Sequence, residues 1–224
     1  MKIGFLLFDK VTQLDAMGPM QMLSRMPDAQ SMTIAKARAP VTTDCPVELV
    51  PTHDFDSAPD LDLLCVPGGF GIVDAMADRE TLDFVRAQVD QADYVTYVCT
   101  GAFILGAVGA LRGKRATTHW AYTELLPLVG AIHEDARVVR DGNVFTGGGV
   151  TAGIDFALTV MAAIAGDGVA QSIQLGLEYD PAPPFSAGSP ARAPEKIRTR
   201  MANFYKETIN ETRNALDAAL VTQR

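Results

Sequence analysis

Short apolar runs alternate with longer amphipathic stretches along this chain. Ile3–Phe8, Met32–Lys36, Val47–Val50, Leu61–Val66 and Tyr94–Val98 read as strands. The most continuous of them, such as Leu61–Val66 before Pro67-Gly68-Gly69, suit a parallel strand buried on both faces. Gly18-Pro19 is predicted to open a helix running to about Met26, with proline at its first position. Asp78–Gln91 is helical, placing Leu82, Val85 and Val89 on one face. Gly101–Val108 follows the Tyr94–Val98 strand at once as a helix, with Gly109 as its C-cap. Arg137–Thr146 carries Asp141-Gly142 between apolar runs, a hairpin signal. Gly147–Gly153 is a turn into the helix Ile154–Ala165, and another helix extends to about Leu177. Pro181–Pro194, rich in Pro, Ala, Ser and Gly, reads as a loop before an amphipathic helix at about 195–220. No internal repeat is seen. The alternation argues for an α/β fold, a mostly parallel sheet covered by helices on both faces.

Composition narrows this picture. The 224 residues, 48% hydrophobic, suit one domain over 1–224 with a sizeable core, although length alone leaves two domains open. A net charge of −8 argues against nucleic acid and anionic membranes as partners. Cys45, Cys65 and Cys99 are odd in number and lack CxxC spacing, which suggests neither a zinc site nor a disulfide framework and points to a reducing cytoplasm. The opening run Met1–Asp9 is too short for a signal peptide, and no stretch approaches the roughly 20 apolar residues that span a bilayer.

Ligands of such sheets bind beyond the carboxyl ends of the strands. Three segments end strands there: the loop around Asp15, the Pro67-Gly68-Gly69 loop and Cys99. Cys99 stands between a strand and a helix, where a thiol meets the positive end of a helix dipole. A free thiol with a pKa of roughly 8.5 is only about 3% ionised at pH 7, and a helix N-terminus raises that fraction. Cys99 is therefore the candidate nucleophile. Cys65 lies inside an apolar strand and reads as a core thiol, while Cys45 reads as a surface or strand-edge residue. Asp15 is either a helix N-cap or an acid/base partner for Cys99, its pKa raised by a neighbouring thiolate. Gly68 and Gly69 either form a turn or bring a backbone N–H to a substrate, opposite the N–H of Thr100; the Gly147–Gly149 run offers a similar choice. His119 is a base or a packed, hydrogen-bonded histidine. His53 and His133 carry no usable signal.

With Pro67-Gly-Gly, Val98-Cys-Thr-Gly and Thr117-Thr-His-Trp in place, the chain resembles the ThiJ/PfpI superfamily, whose flavodoxin-like fold is shared with class I glutamine amidotransferases. Within it the chain is most similar to the isocyanide hydratases. Gly113–Tyr122, Thr146–Leu158 and Glu178–Pro190 are the most specific segments, and the resemblance covers roughly Met1 to Pro190. Departures from sibling branches are informative. The intracellular proteases have histidine directly after the nucleophile, where this chain has Thr100. Amidotransferases carry a downstream His-x-Glu, and none follows Cys99. Many members place glutamate in the first loop; here it is Asp15, as in the hydratases. AraC-type regulators add paired helix-turn-helix units, and the roughly thirty residues and one helix after Pro194 are too short for them.

The resemblance implies hydration of an isocyanide to an N-substituted formamide through a covalent cysteine thioimidate. It implies Cys99 as nucleophile, Asp15 as proton manager, and Thr100 as donor of an N–H and a hydroxyl. Gly69 would supply a further N–H, Gly148 would shape the space beside the sulfur, and His119 would contact substrate. It implies no metal or organic cofactor, a small-molecule isocyanide as partner, and a homodimer. Another cysteine-dependent activity of the superfamily, such as glyoxal hydration, and a non-enzymatic oxidant or ligand sensor are the alternatives.

Overall fold

The computed structural model describes residues 1–221 and builds strands and helices in alternation. In chain order these are β1 (Lys2–Leu6), α1 (Gln13–Leu23), β2 (Gln30–Ala35), β3 (Val41–Thr42), β4 (Glu48–Leu49), β5 (His53–Asp54), β6 (Leu63–Val66), α2 (Ile72–Ala77), α3 (Arg79–Gln91), β7 (Tyr94–Val98), α4 (Gly101–Ala107) and β8 (Arg115–Ala116). A 3-10 stretch (Trp120–Val129) follows, then β9 (Ile132–His133), β10 (Val138–Asp141), β11 (Val144–Gly147), α5 (Ala152–Ala165), α6 (Asp167–Gly176) and α7 (Glu195–Val221).

One seven-stranded sheet runs in the order β10-β11-β7-β6-β1-β2-β5. All neighbours are parallel except the β10–β11 hairpin. The expected flavodoxin-like α/β architecture is present. Strand alternation sorts the side chains of β6: Leu63 and Cys65 face α1, α5 and α6, while Leu64 and Val66 face α2, α3, α4 and α7. The chain reverses direction across β1, passing outward to β2 and β5 before crossing back to β6. The carboxyl ends of β1, β6 and β7 therefore open side by side.

Three elements differ from the sequence-based expectation. Helix α1 starts at Gln13 with Thr12 as N-cap, ahead of Gly18, so Pro19 lies inside the helix. An interior proline costs a helix about 3 kcal/mol because it offers no N–H and crowds the preceding turn. Here its ring packs on α5 so closely that a Cβ at Gly153 would sit 3.0 Å from it. The Val47–Val50 strand shrinks to β4, which pairs antiparallel with β3 apart from the main sheet. Finally, Trp120–Val129 forms a 3-10 stretch where no element was expected, and α7 docks beside it: Leu216 and Thr212 are buried, Tyr122 Oη meets Thr208 Oγ1 at 2.7 Å, and Arg213 pairs with Glu124 at 2.8 Å.

Candidate active site

Cys99 is the first residue beyond β7. Register alignment of Val98 with Gly147 on β11 carries its N–H to the carbonyls of Gly147 and Gly148, at 3.0 and 2.9 Å. Thr118 Oγ1 donates to its carbonyl at 2.6 Å. These three bonds hold Cys99 at φ 59°, a left-handed conformation that a non-glycine residue adopts only when its surroundings impose it. The result is a sharp strand-to-helix elbow that turns the thiol toward a cavity. Close approach fixes its other side: a Cβ at Gly101 would lie 2.2 Å from the Val66 carbonyl oxygen.

The three strand ends converge. Asp15 is fully buried on the first turn of α1, and it does not cap that helix; its Oδ2 accepts from Gly68 N–H at 2.9 Å. Gly69 N–H donates to Thr100 Oγ1 at 3.1 Å. A side chain at Gly68 would meet Thr100 Oγ1 at 2.5 Å and Asp15 Oδ2 at 2.9 Å, so only glycine fits between them. The Gly69 N–H is thus spent on Thr100 rather than projected unpartnered into the cavity.

Asp15 Oδ1 is buried and has no hydrogen-bond partner among the described residues. Burial pushes the Asp15 carboxyl up to about 7, against the opposing pull of the Gly68 N–H and the Cys99 thiol. Cys99 is 6% exposed, and burial also pushes its thiol well above the ordinary range. The nearby Asp15 charge adds to that push, and the N–H groups of Val150 and Thr100 oppose it. The sequence led us to expect a thiolate favoured by a helix N-terminus. In the structure, desolvation and the adjacent carboxyl outweigh the short helix α4, so the resting centre is a thiol beside a carboxyl that titrates near neutrality.

A cavity of about 100 Å³ lies over the sulfur, lined by Thr12, Asp44, Gly69, Phe70, Cys99, Thr100, His119, Tyr122, Val150 and Tyr205. His119 opens the 3-10 stretch. Its Nδ1 accepts from Ala121 N–H at 3.3 Å, so the ring proton resides on Nε2. Burial lowers its pKa to about 4, leaving a neutral donor rather than a base at pH 7. Gly149 gives that ring room, since a Cβ there would lie 2.7 Å from Cδ2. Gly148 sits behind the elbow, accepting from Cys99 through its carbonyl. Val150, Tyr122 and Tyr205 were not singled out from the sequence as site residues. The first acts through its backbone and leaves no side-chain signal; the aromatic pair is brought in by packing of the 3-10 stretch and α7. Among the described residues no cluster of His, Cys, Asp or Glu is arranged to hold a metal ion, and no helix is long and apolar enough to cross a membrane.

Comparison with known proteins gives the family and the fold. Residues 1–163 match the model of the DJ-1/PfpI family. The chain is 56% identical to a protein named isonitrile hydratase from Pseudomonas putida, over 88% of this chain and 86% of that one. A crystal structure of a ThiJ/PfpI family protein from Pseudomonas syringae superimposes with a TM-score of 0.94 at 41% identity, covering 96% of this chain and 90% of that one. A DJ-1 superfamily protein from Salmonella typhimurium gives 0.70 at 26% identity, covering 81% and 99%.

Proposed function

The chain belongs to the DJ-1/PfpI family, and on that premise we propose that it hydrates an isocyanide, R–N≡C, to the formamide R–NH–CHO. The observation that carries this reading is the pairing of a cavity-facing thiol with a fully buried carboxyl, which burial pushes up to about 7. Near neutral pH that carboxyl populates both its proton-accepting and its proton-donating form, which two successive additions to one carbon require.

In the first addition, ionised Asp15 takes the Cys99 proton as sulfur bonds to the terminal carbon of the isocyanide. The same proton is then delivered to that carbon, giving the thioimidate R–N=CH–S–Cys99 and regenerating the carboxylate. The N–H groups of Thr100 and Val150 offset negative charge on sulfur while the proton is away. In the second addition, water bonds to the carbon, gives a proton to Asp15, and that proton passes to nitrogen. The tetrahedral R–NH–CH(OH)–S–Cys99 then loses its hydroxyl proton as the C–S bond breaks. Sulfur regains a proton, and R–NH–CHO departs. Water and isocyanide are consumed one for one, with no oxidant, metal or organic cofactor. Neutral His119 offers its Nε2–H along the cavity wall without competing for these protons. A cytoplasmic homodimer is the setting that accompanies this reading, from the resemblance.

The test is direct. With para-nitrophenyl isocyanide, formamide production is followed by absorbance, and wild-type protein quenched in mid-turnover is weighed for a substrate-sized adduct on Cys99. Cys99→Ala is expected to lose at least about 10³ of kcat/KM. Turnover surviving in that variant overturns the covalent route, and turnover of methylglyoxal in place of isocyanides overturns the substrate.

A further inference from the structure

The catalytic cavity has two unlike walls. One is made of strand ends and loops and carries the thiol and the backbone donors, with the Asp15 carboxyl fully buried behind it. The other is made of rings: His119 and Tyr122 from the 3-10 stretch, Phe70 from the loop after β6, and Tyr205 from α7. Tyr205 stands edge-on to His119 at 4.9 Å, to Tyr122 at 5.9 Å, to Trp120 at 6.0 Å and to Phe204 at 5.0 Å. Contacts among four rings confine it far more than one neighbour would. Its helix is fixed in turn by the Tyr122–Thr208 hydrogen bond, the Arg213–Glu124 ion pair and the buried Leu216. The family match ends at residue 163, whereas α7 begins at Glu195. The ring that shares the cavity with Cys99 therefore lies beyond the part of the chain that the family match covers.

We infer that Tyr205 is the specificity-determining residue of the site, its ring limiting the girth of the group R next to the isocyanide nitrogen. This rests on the hydratase reading. A linear isocyanide is a rod with its reacting carbon at the tip. To bring that tip to Cys99 at the bottom of a cavity of about 100 Å³, the first carbon of R must pass the ring wall. A slender or flat R passes; an R that is bulky in all directions at that carbon, as tert-butyl is, meets the Tyr205 ring. Packing, not the hydroxyl, does the selecting: the Tyr205 hydroxyl is bonded to none of the described protein groups, unlike that of Tyr122.

n-Butyl and tert-butyl isocyanide have the same atoms and differ in girth, so their kcat/KM ratio isolates this property. Wild-type protein is expected to prefer the n-butyl isomer. Tyr205→Ala should compress the preference at least about tenfold, the low end of what one extra or missing methylene is worth in a hydrophobic pocket. Tyr205→Phe should keep the ratio within about twofold. Melting temperatures are measured alongside, and Tyr205→Leu, with an intermediate compression expected, replaces the alanine variant if that one does not fold. A purely structural role for Tyr205 would slow both isomers alike and leave the ratio unmoved, which overturns the inference. A ratio that changes as much in Tyr205→Phe as in Tyr205→Ala also overturns it, because the hydroxyl would then be selecting. The alkylation rate of Cys99 by iodoacetamide and by its N-tert-butyl derivative supplies a readout that needs no turnover. If the wild type hydrates neither isocyanide, the hydratase reading fails. The alkylation ratio still decides the wall: it should fall at least about tenfold in Tyr205→Ala, and an unchanged ratio rejects Tyr205 as the limit on access.

Discussion

Cys65 lies within β6, and Cys99 lies just beyond its parallel neighbour β7. Both are buried, and both feel the same carboxyl, that of Asp15. Burial pushes the Cys65 thiol up to about 12, with Thr96 partly offsetting it and Asp15 adding to it. Burial pushes Cys99 up as well. What separates them is three residues of register, because Cys65 is level with Thr96. Cys65 is still inside its strand, in register with Thr96, and its side chain points into the layer between sheet and helices. Cys99 is one step past its strand, in the left-handed conformation, with backbone N–H groups around its sulfur and a cavity above it. Access and nearby donors, rather than a resting thiolate, distinguish the candidate nucleophile from the core thiol.

Alkylation of the native protein should show that contrast most strongly. Cys65 reacts only after unfolding, which for a stable domain is populated at about 10⁻³ or less. Peptide mapping after iodoacetamide treatment should therefore find Cys99 labelled at least about 10³ times faster than Cys65. Because burial and Asp15 hold the thiol protonated, the Cys99 rate should still be climbing above pH 9. A plateau near pH 7 would mean a preformed thiolate and would break the account of the site.

Asp15→Asn probes the group that both cysteines share. Turnover should fall by about 10²–10⁴, the usual worth of a positioned acid/base. Stability should move the other way. Burial pushes native Asp15 from the ordinary 3.8 up to about 7, so from pH 3.8 to about 7 the native state holds a proton the unfolded chain has released. Its contribution is fully present below 3.8 and is lost as the pH rises through 7. Asparagine keeps an oxygen for Gly68 N–H without the charge. Denaturant midpoints should place the variant near wild type at pH 3.5 and above it at pH 8, by on the order of 4 kcal/mol if the whole shift is realised. A variant less stable than wild type at pH 8 would rule out a strained, buried carboxylate.

The strand ends were largely legible in the sequence because their signals are local. Leu61–Val66 stops at Pro67-Gly-Gly, Tyr94–Val98 stops at Cys99, and Asp141-Gly142 turns the β10–β11 hairpin, with Gly142 at φ 65°. Asp15 was recognised as chemistry but not placed as the third residue of α1, since proline's preference for the first turn drew the helix start to Gly18. The 3-10 stretch was missed because Pro127 and tight turns disrupt a 3.6-residue period. Tyr205 was the least legible. An amphipathic pattern tells which face of α7 is apolar, but not that the face docks over Cys99.

Cys65→Ala gives the smallest of these effects and closes the comparison from the other side. The substitution removes one buried sulfur from a strand whose neighbours at Phe5 and Thr96 are fixed in the sheet, so the space is not refilled. A loss of about 1 kcal/mol follows, lowering the melting temperature by about 2–4 °C in a chain of this size. Isocyanide turnover should stay within about twofold, because Cys65 lines no part of the cavity and its thiol stays protonated throughout the working pH range. A drop in kcat/KM larger than the loss of folded protein would mean that the end of β6 also holds Asp15 in place, through the Pro67-Gly68 turn that follows it. The two thiols would then differ only in degree.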